Sequence, residues 1–174
     1  MISLHKDLLY PAGRAPRLRF VIAFVVLAIS VWLQGIAIRT IGGASLVGFY
    51  IGLFWLCLNF FIAYVVYSRR LHDINISSGL FFSTLFLTLF VVAITIWVGG
   101  LDGYFQAIMD NPKIADDAEA NKALVEAYQA ELAQNVWWAR WVNLIPLAAL
   151  TLFCALMPGK PEDNRYGDVP AARI

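Results

Sequence analysis

Hydrophobic and polar positions in this chain are segregated into long blocks instead of alternating. Four stretches contain no Asp, Glu, Lys, Arg or His: Phe20 to Ile38, Ile41 to Tyr67, Ile74 to Val98 and Val142 to Met157. About 20 apolar residues span a bilayer, so the first three are long enough by themselves. The fourth is short, at about 24 Å for a rise of roughly 1.5 Å per residue. Extending it back to Val136 restores the length and puts Trp137, Trp138 and Trp141 at the interface, where indole rings favour the headgroup level. Arg140 then lies near that surface and snorkels outward. The pattern predicts an all-α membrane protein with one membrane domain over residues 1–174 and transmembrane helices at about 20–38, 46–67, 79–98 and 136–157.

Between the blocks, Gly42 and Gly43 predict a tight turn that makes the first two spans an antiparallel hairpin. Gly48 and Gly52 form a small-xxx-small pair, expected to serve packing inside the protomer before dimerisation. The run Gly99-Gly100-Leu101-Asp102-Gly103 ends the third span and opens a polar, acidic segment over 99–135. There Asn111 can cap a helix whose first turn holds Pro112, with Asp116, Asp117 and Glu119 near its positive end. Ala120, Leu124, Ala127, Tyr128 and Leu132 recur at helical spacing. With neither Gly nor Pro before Pro146, this amphipathic helix is expected to run, straight or bent, into the fourth span. Pro158 and Gly159 stop the last helix and leave a polar tail over 158–174.

Composition agrees with the pattern: 60% of the residues are hydrophobic and 14% charged, against roughly 25% charged in an average soluble domain. The net charge of +1 offers no basic face for a nucleic acid. Local charge is more informative. One side of the four spans carries Lys6, Arg14, Arg17, Arg19, Arg69, Arg70, Lys160, Arg165 and Arg173, nine cations; the other carries Arg39, Lys113, Lys122 and Arg140, four. The richer side belongs in the cytoplasm, giving cytoplasmic termini and an extracytoplasmic acidic helix before the fourth span. A cleaved signal peptide is the alternative for the first span, but its apolar run is too long and Gln34 and Arg39 make a poor cleavage neighbourhood. Cys57 and Cys154 fall at depths on the order of 9 Å apart, beyond disulfide reach, and are expected as apolar thiols.

Two polar clusters sit where spans meet the cytoplasmic surface: Ser68-Arg69-Arg70-Leu71-His72-Asp73, and Pro158-Gly159-Lys160-Pro161-Glu162-Asp163-Asn164-Arg165-Tyr166-Gly167. With Gly13, Arg14, Arg17 and Phe20 before the first span, they resemble the bacterial inner-membrane family named "domain of unknown function 805". The resemblance implies a membrane bundle in the bacterial inner membrane and no known reaction. The chain departs from the family at Ser77-Ser78-Gly79-Leu80-Phe81-Phe82, where a Trp pair is usual, and in its longer acidic external segment.

Arg69 and Arg70 admit three readings: topological anchors, contacts for anionic lipid together with Arg14, Arg17, Arg19 and Arg165, or members of a polar cluster with Asp73, Asn164 and Tyr166. In that cluster either Arg165 pairs with Asp73, or Tyr166 and Asn164 bond the backbone of the 69–73 loop. His72 beside Asp73 is too few ligands for a metal, and neither nucleophile motif nor phosphate loop is present. No cofactor or metal is expected. Gln34, Asn59, Thr88 and Asn143, within the spans, read as interhelical hydrogen-bond glue. The expectation is a non-enzymatic membrane protein binding anionic lipid or a protein partner at its cytoplasmic rim. The competing reading is a solute or ion pathway formed by a homo-oligomer, and an enzyme using His72 and Asp73 ranks third.

Overall fold

The computed structural model describes residues 8–41, 46–99 and 101–170. Lys6, Arg173 and the predicted Gly42-Gly43 turn lie outside the described residues, as do the side chains of Arg39 and Arg140. Every regular element among the described residues is helical: α1 (Arg17–Ile41), α2 (Leu46–Asp73), α3 (Gly79–Val98), α4 (Leu101–Asp110), α5 (Lys113–Asp116), α6 (Ala118–Asn135) and α7 (Ala139–Leu156).

Arg17–Ile38, Val47–Asp73 and Gly79–Val98 are long and apolar enough to cross a membrane, and a shorter apolar helix covers Trp141–Leu156. Their side chains are distributed unlike those of a soluble bundle. Trp32, Phe54, Phe86 and Trp97 all stand more than 60% exposed, and a helix that is apolar all round needs either a large protein or lipid around it.

The chain forms two compact units, Met1–Phe82 with Leu150–Ile174, and Ser83–Ala149. In the first, α1 and α2 pack along their length. Their contact contains a closed polar ladder: Ser30 Oγ donates to Asn59 Oδ1 (2.7 Å), Asn59 Nδ2 to Gln34 Oε1 (2.9 Å) and Gln34 Nε2 to the Gly52 carbonyl (3.1 Å). Trp55 Nε1 donates to Ser30 Oγ at 3.1 Å. Away from water each group needs such a partner, and the glue predicted for Gln34 and Asn59 is this ladder. A Cβ on Gly52 would meet the Ile38 side chain of α1 at 3.4 Å, an ordinary van der Waals contact. At one end of the unit Phe20, Ala23, Val66, Tyr67, Leu71, Phe81, Leu150 and Cys154 form the apolar core. Cys154 is buried and Cys57 exposed, both free thiols.

The second unit departs from the predicted layout. The 99–103 run ends α3 but also begins α4, which was not foreseen. The helix expected from Asn111 into the fourth span is interrupted twice, at the extended Asp117 and at the turn over 136–138. Asn111 is not its cap. Asp117 caps α6 instead, its Oδ1 accepting from the backbone N–H of Glu119 (3.0 Å) and Ala120 (3.2 Å), the arrangement that satisfies a helix's first orphan donors. On α6, Ala120, Leu124 and Tyr128 are half-buried while Ala127 is exposed. Thr88 bonds back to the Thr84 carbonyl (2.9 Å), and Thr95 Oγ1 donates to Asn143 Oδ1 (3.2 Å).

Candidate functional site: a buried polar knot

The loop before α1 cannot be helical, because Pro11 and Pro16 bracket it and Gly13 takes a left-handed φ of 92°. It lies across the end of α2. The Ala15 N–H donates to the Arg69 carbonyl (3.0 Å), and Arg69 reaches back to the carbonyls of Tyr10 (3.3 Å) and Arg14 (3.4 Å). This anchors Arg14 over Asp73.

Asp73, the last residue of α2, is 2% exposed and Arg14 4%. Arg14 Nε donates to Asp73 Oδ1 at 3.2 Å, and Arg70, one turn earlier, donates Nη1 to Oδ2 at 2.6 Å. A buried carboxylate needs this kind of compensation, and two guanidinium groups provide it.

The tail closes the knot. Arg70 also donates Nη1 to the Ala15 carbonyl (3.3 Å) and turns two donors on the end of α7, Nε to the Cys154 carbonyl (2.7 Å) and Nη2 to that of Met157. Arg17 Nε also donates to Met157, at 3.0 Å. These are the carbonyls a helix leaves without partners, at the negative end of its dipole. The chain then turns at Pro158 and Gly159. A Cβ on Gly159 would fall inside the Asp73 carboxylate, so only glycine fits. The Lys160 N–H donates to the Asp73 carbonyl (2.8 Å), and Arg14 donates to the carbonyls of Lys160, Glu162 (2.8 Å) and Gly167 (3.3 Å).

Asn164 to Gly167 make a small turn, closed by paired backbone bonds of 3.2 and 2.9 Å between Asn164 and Gly167, with Gly167 at φ 127°. It docks on the last turn of α2: Asn164 Nδ2 donates to the His72 carbonyl (2.9 Å), and the Tyr166 ring stacks on His72 at 3.8 Å and 6°. Arg165 lies over the outer face of Tyr166 at 4.7 Å. His72 Nδ1 meets the Gly13 carbonyl (3.3 Å) and Nε2 meets Ser68 Oγ (3.4 Å).

The two sequence clusters therefore meet, together with the Gly13, Arg14 and Arg17 segment. Of the two pairings expected, the Arg165–Asp73 ion pair does not form, because Arg14 and Arg70 already occupy both carboxylate oxygens. The other forms in half: Asn164 bonds the loop backbone, whereas Tyr166 stacks on the His72 ring instead of bonding that backbone. Two members were not foreseen as such. Sequence alone marks Arg14 as a cation of a basic rim and Gly159, beside Pro158, as a helix stop. The anionic-lipid reading of Arg14, Arg69 and Arg70 does not suit their burial, since all three are less than 9% exposed. Among the described residues no three His, Cys, Asp or Glu side chains converge.

The fold and site define an all-helical protein with apolar helices of membrane-spanning length and a buried ionic knot joining three chain segments at one end. Comparison with protein-family models, with curated proteins and with solved structures gave no match.

Proposed function

We propose that this chain is a four-pass protein of a bacterial inner membrane with cytoplasmic termini, a member of the "domain of unknown function 805" family, and that its cytoplasmic end binds anionic lipid headgroups without catalysing a reaction. The supporting observation is a division of labour among the cations at one end of the first unit. Arg14, Arg69 and Arg70 are buried in the knot, whereas Arg17, Lys160 and Arg165 are exposed and Arg19 half-exposed. Arg17 and Arg19 stand in the first turns of an apolar helix, which is headgroup depth for a span, and basic residues there are worth about 1 kcal/mol each toward anionic lipid. The acids of the tail, Glu162, Asp163 and Asp168, follow the Pro158 and Gly159 break, and Asp163 is engaged by the Val169 N–H at 2.8 Å.

The ends that the knot ties together support reading α7 as a fourth span. The chain departs from the α2 end at Asp73 and comes back to it at Met157, so a crossing by α3 requires a return crossing by α7. At 18 residues α7 is about 27 Å long, close to the roughly 30 Å of a hydrocarbon core. A non-enzymatic role fits an Asp73 held by two arginines and a His72 flanked by Ser68 and Gly13.

The test is lipid retention by purified protein in nanodiscs of mixed anionic and zwitterionic lipid, read by native mass spectrometry. Anionic lipid should be enriched on the wild type and lost from Arg17→Gln/Arg19→Gln. Equal retention of both lipid classes would rule the proposal out. Crosslinks from this end to a protein or a second copy would point to the alternative partner.

A further inference from the structure

The helix α4, ten residues long, is too short to cross a membrane, yet among the described helices it is strongly two-faced. Tyr104, Phe105, Ile108 and Met109 recur at spacings of one turn and so share one side, while Gly103, Gln106 and Asp110 share the other. Part of the apolar side is occupied within the second unit. Tyr104 packs on Tyr128 of α6 with ring centroids 5.7 Å apart, and Tyr128 donates its hydroxyl to the Ile96 carbonyl near the end of α3 (3.3 Å). The rest is not: Phe105 is 53% and Met109 72% exposed.

The position of α4 in the chain restricts what can cover them. It begins at Leu101, three residues after the last residue of α3, Val98, and is tied through Tyr128 to the final turn of that apolar helix. Wherever α3 leaves the hydrocarbon, α4 starts. Exposed indoles mark the same region of this unit, Trp97 at the end of α3 and Trp137 and Trp141 around the start of α7, and such rings collect at the membrane interface. The helix carries Asp102 and Asp110 and no cation, so anionic headgroups do not attract it and apolar burial alone would hold it.

We propose that α4 is an interfacial helix: it lies flat on the extracytoplasmic leaflet with Phe105 and Met109 inserted among the acyl chains, and moors the acidic α5–α6 segment to the membrane surface. The occupant of the exposed face is the lipid surface itself, of zwitterionic or neutral headgroup. The inference rests on the reading of α3 as a span, and the experiment separates the two.

Cysteines at Phe105, Met109 and Gln106, with Leu89→Cys in α3 as reference, are introduced one at a time into a Cys57→Ser background that keeps the buried Cys154, whose unsubstituted form is the labelling control, then spin-labelled and reconstituted in phosphatidylcholine nanodiscs. Collision rates with oxygen, which concentrates in lipid, and with a water-soluble nickel chelate are then compared. The oxygen-to-nickel ratio should be several-fold higher at 105 and 109 than at 106, and unchanged in high salt. A lipid signature at 89 with water signatures at 105 and 109 would overturn the interfacial helix and leave the span reading intact. A water signature at 89 would remove the span reading and this inference with it. Dipolar broadening at 105 and 109, with low access to both reagents, would replace lipid by a second copy of the chain.

Discussion

Asp73 shows how one side chain can decide the arrangement of three distant segments. Its carboxylate faces Arg14 and Arg70, its carbonyl takes the Lys160 N–H, and its side chain occupies the space a Cβ at residue 159 would need. Removing the charge leaves two buried guanidinium groups without their anion, so Asp73→Asn should destabilise the protein by about 3–5 kcal/mol in detergent unfolding. Partner identity is tested separately. A double-mutant cycle of Asp73→Asn with Arg14→Gln should give a coupling of about 0.5–3 kcal/mol, and the same cycle with Arg165→Gln should be additive. Coupling to Arg165 and none to Arg14 would contradict the geometry. Gly159→Ala probes the steric side of the same centre. The obstructing atoms belong to an ion-paired, buried carboxylate that cannot swing away, so the added methyl should cost about 1–3 kcal/mol and release the tail to proteolysis after Pro158. Wild-type protease resistance in that variant would show that the tail does not sit where Gly159 holds it.

At the scale of elements, helices were legible where the chain is monotonous and illegible where it is mixed. Runs such as Phe20 to Ile38 leave no competing structure in lipid, since only a helix satisfies its own backbone there. The polar ladder between α1 and α2 was readable in kind, as buried amides must find partners, but its pairing depends on which faces meet. That pairing predicts non-additivity. Asn59→Leu alone strands Gln34 and Ser30 and should loosen the hairpin by about 0.6–2 kcal/mol, while Asn59→Leu with Gln34→Leu should recover much of the loss. Additive losses in thermal unfolding would mean the amides act independently. Between Pro112 and Pro146 the chain holds neither Gly nor Pro, yet the helix there is not continuous. Asp117 breaks it by a local choice, its carboxylate serving the N–H groups of Glu119 and Ala120. The α4 stripe was visible in the sequence, but Gly99, Gly100 and Gly103 drew attention to a break. Asp117→Ala should reduce helix content over 118–135 and cost about 1 kcal/mol as a lost cap; unchanged circular dichroism and melting would refute that role.

At the scale of the whole molecule, the question is which ends of the helices share a side. The distribution of Lys and Arg along the sequence is the basis of the proposed topology, whereas the union of three segments around Asp73 depends on side-chain geometry that spacing alone does not supply. The two arguments can be set against each other. The knot brings the loop before α1, the exit of α2 and the tail after α7 to one end, and the proposed topology puts that end in the cytoplasm. Residue 117, in the segment between α3 and α7, should then face the opposite side. Cysteines placed at the exposed positions Ala12, Asp168 and Asp117 in a Cys57→Ser background should be labelled by a membrane-impermeant maleimide as follows: position 117 in intact spheroplasts, positions 12 and 168 only after permeabilisation. Labelling of 12 and 168 alone from outside would invert the orientation and remove the cytoplasmic lipid proposal, while leaving the knot standing. Labelling of 117 and 168 together would be more serious. It would put both ends of α7 on one face, and with α3 crossing, the tail could not reach Asp73, so the ionic knot itself would have to be abandoned.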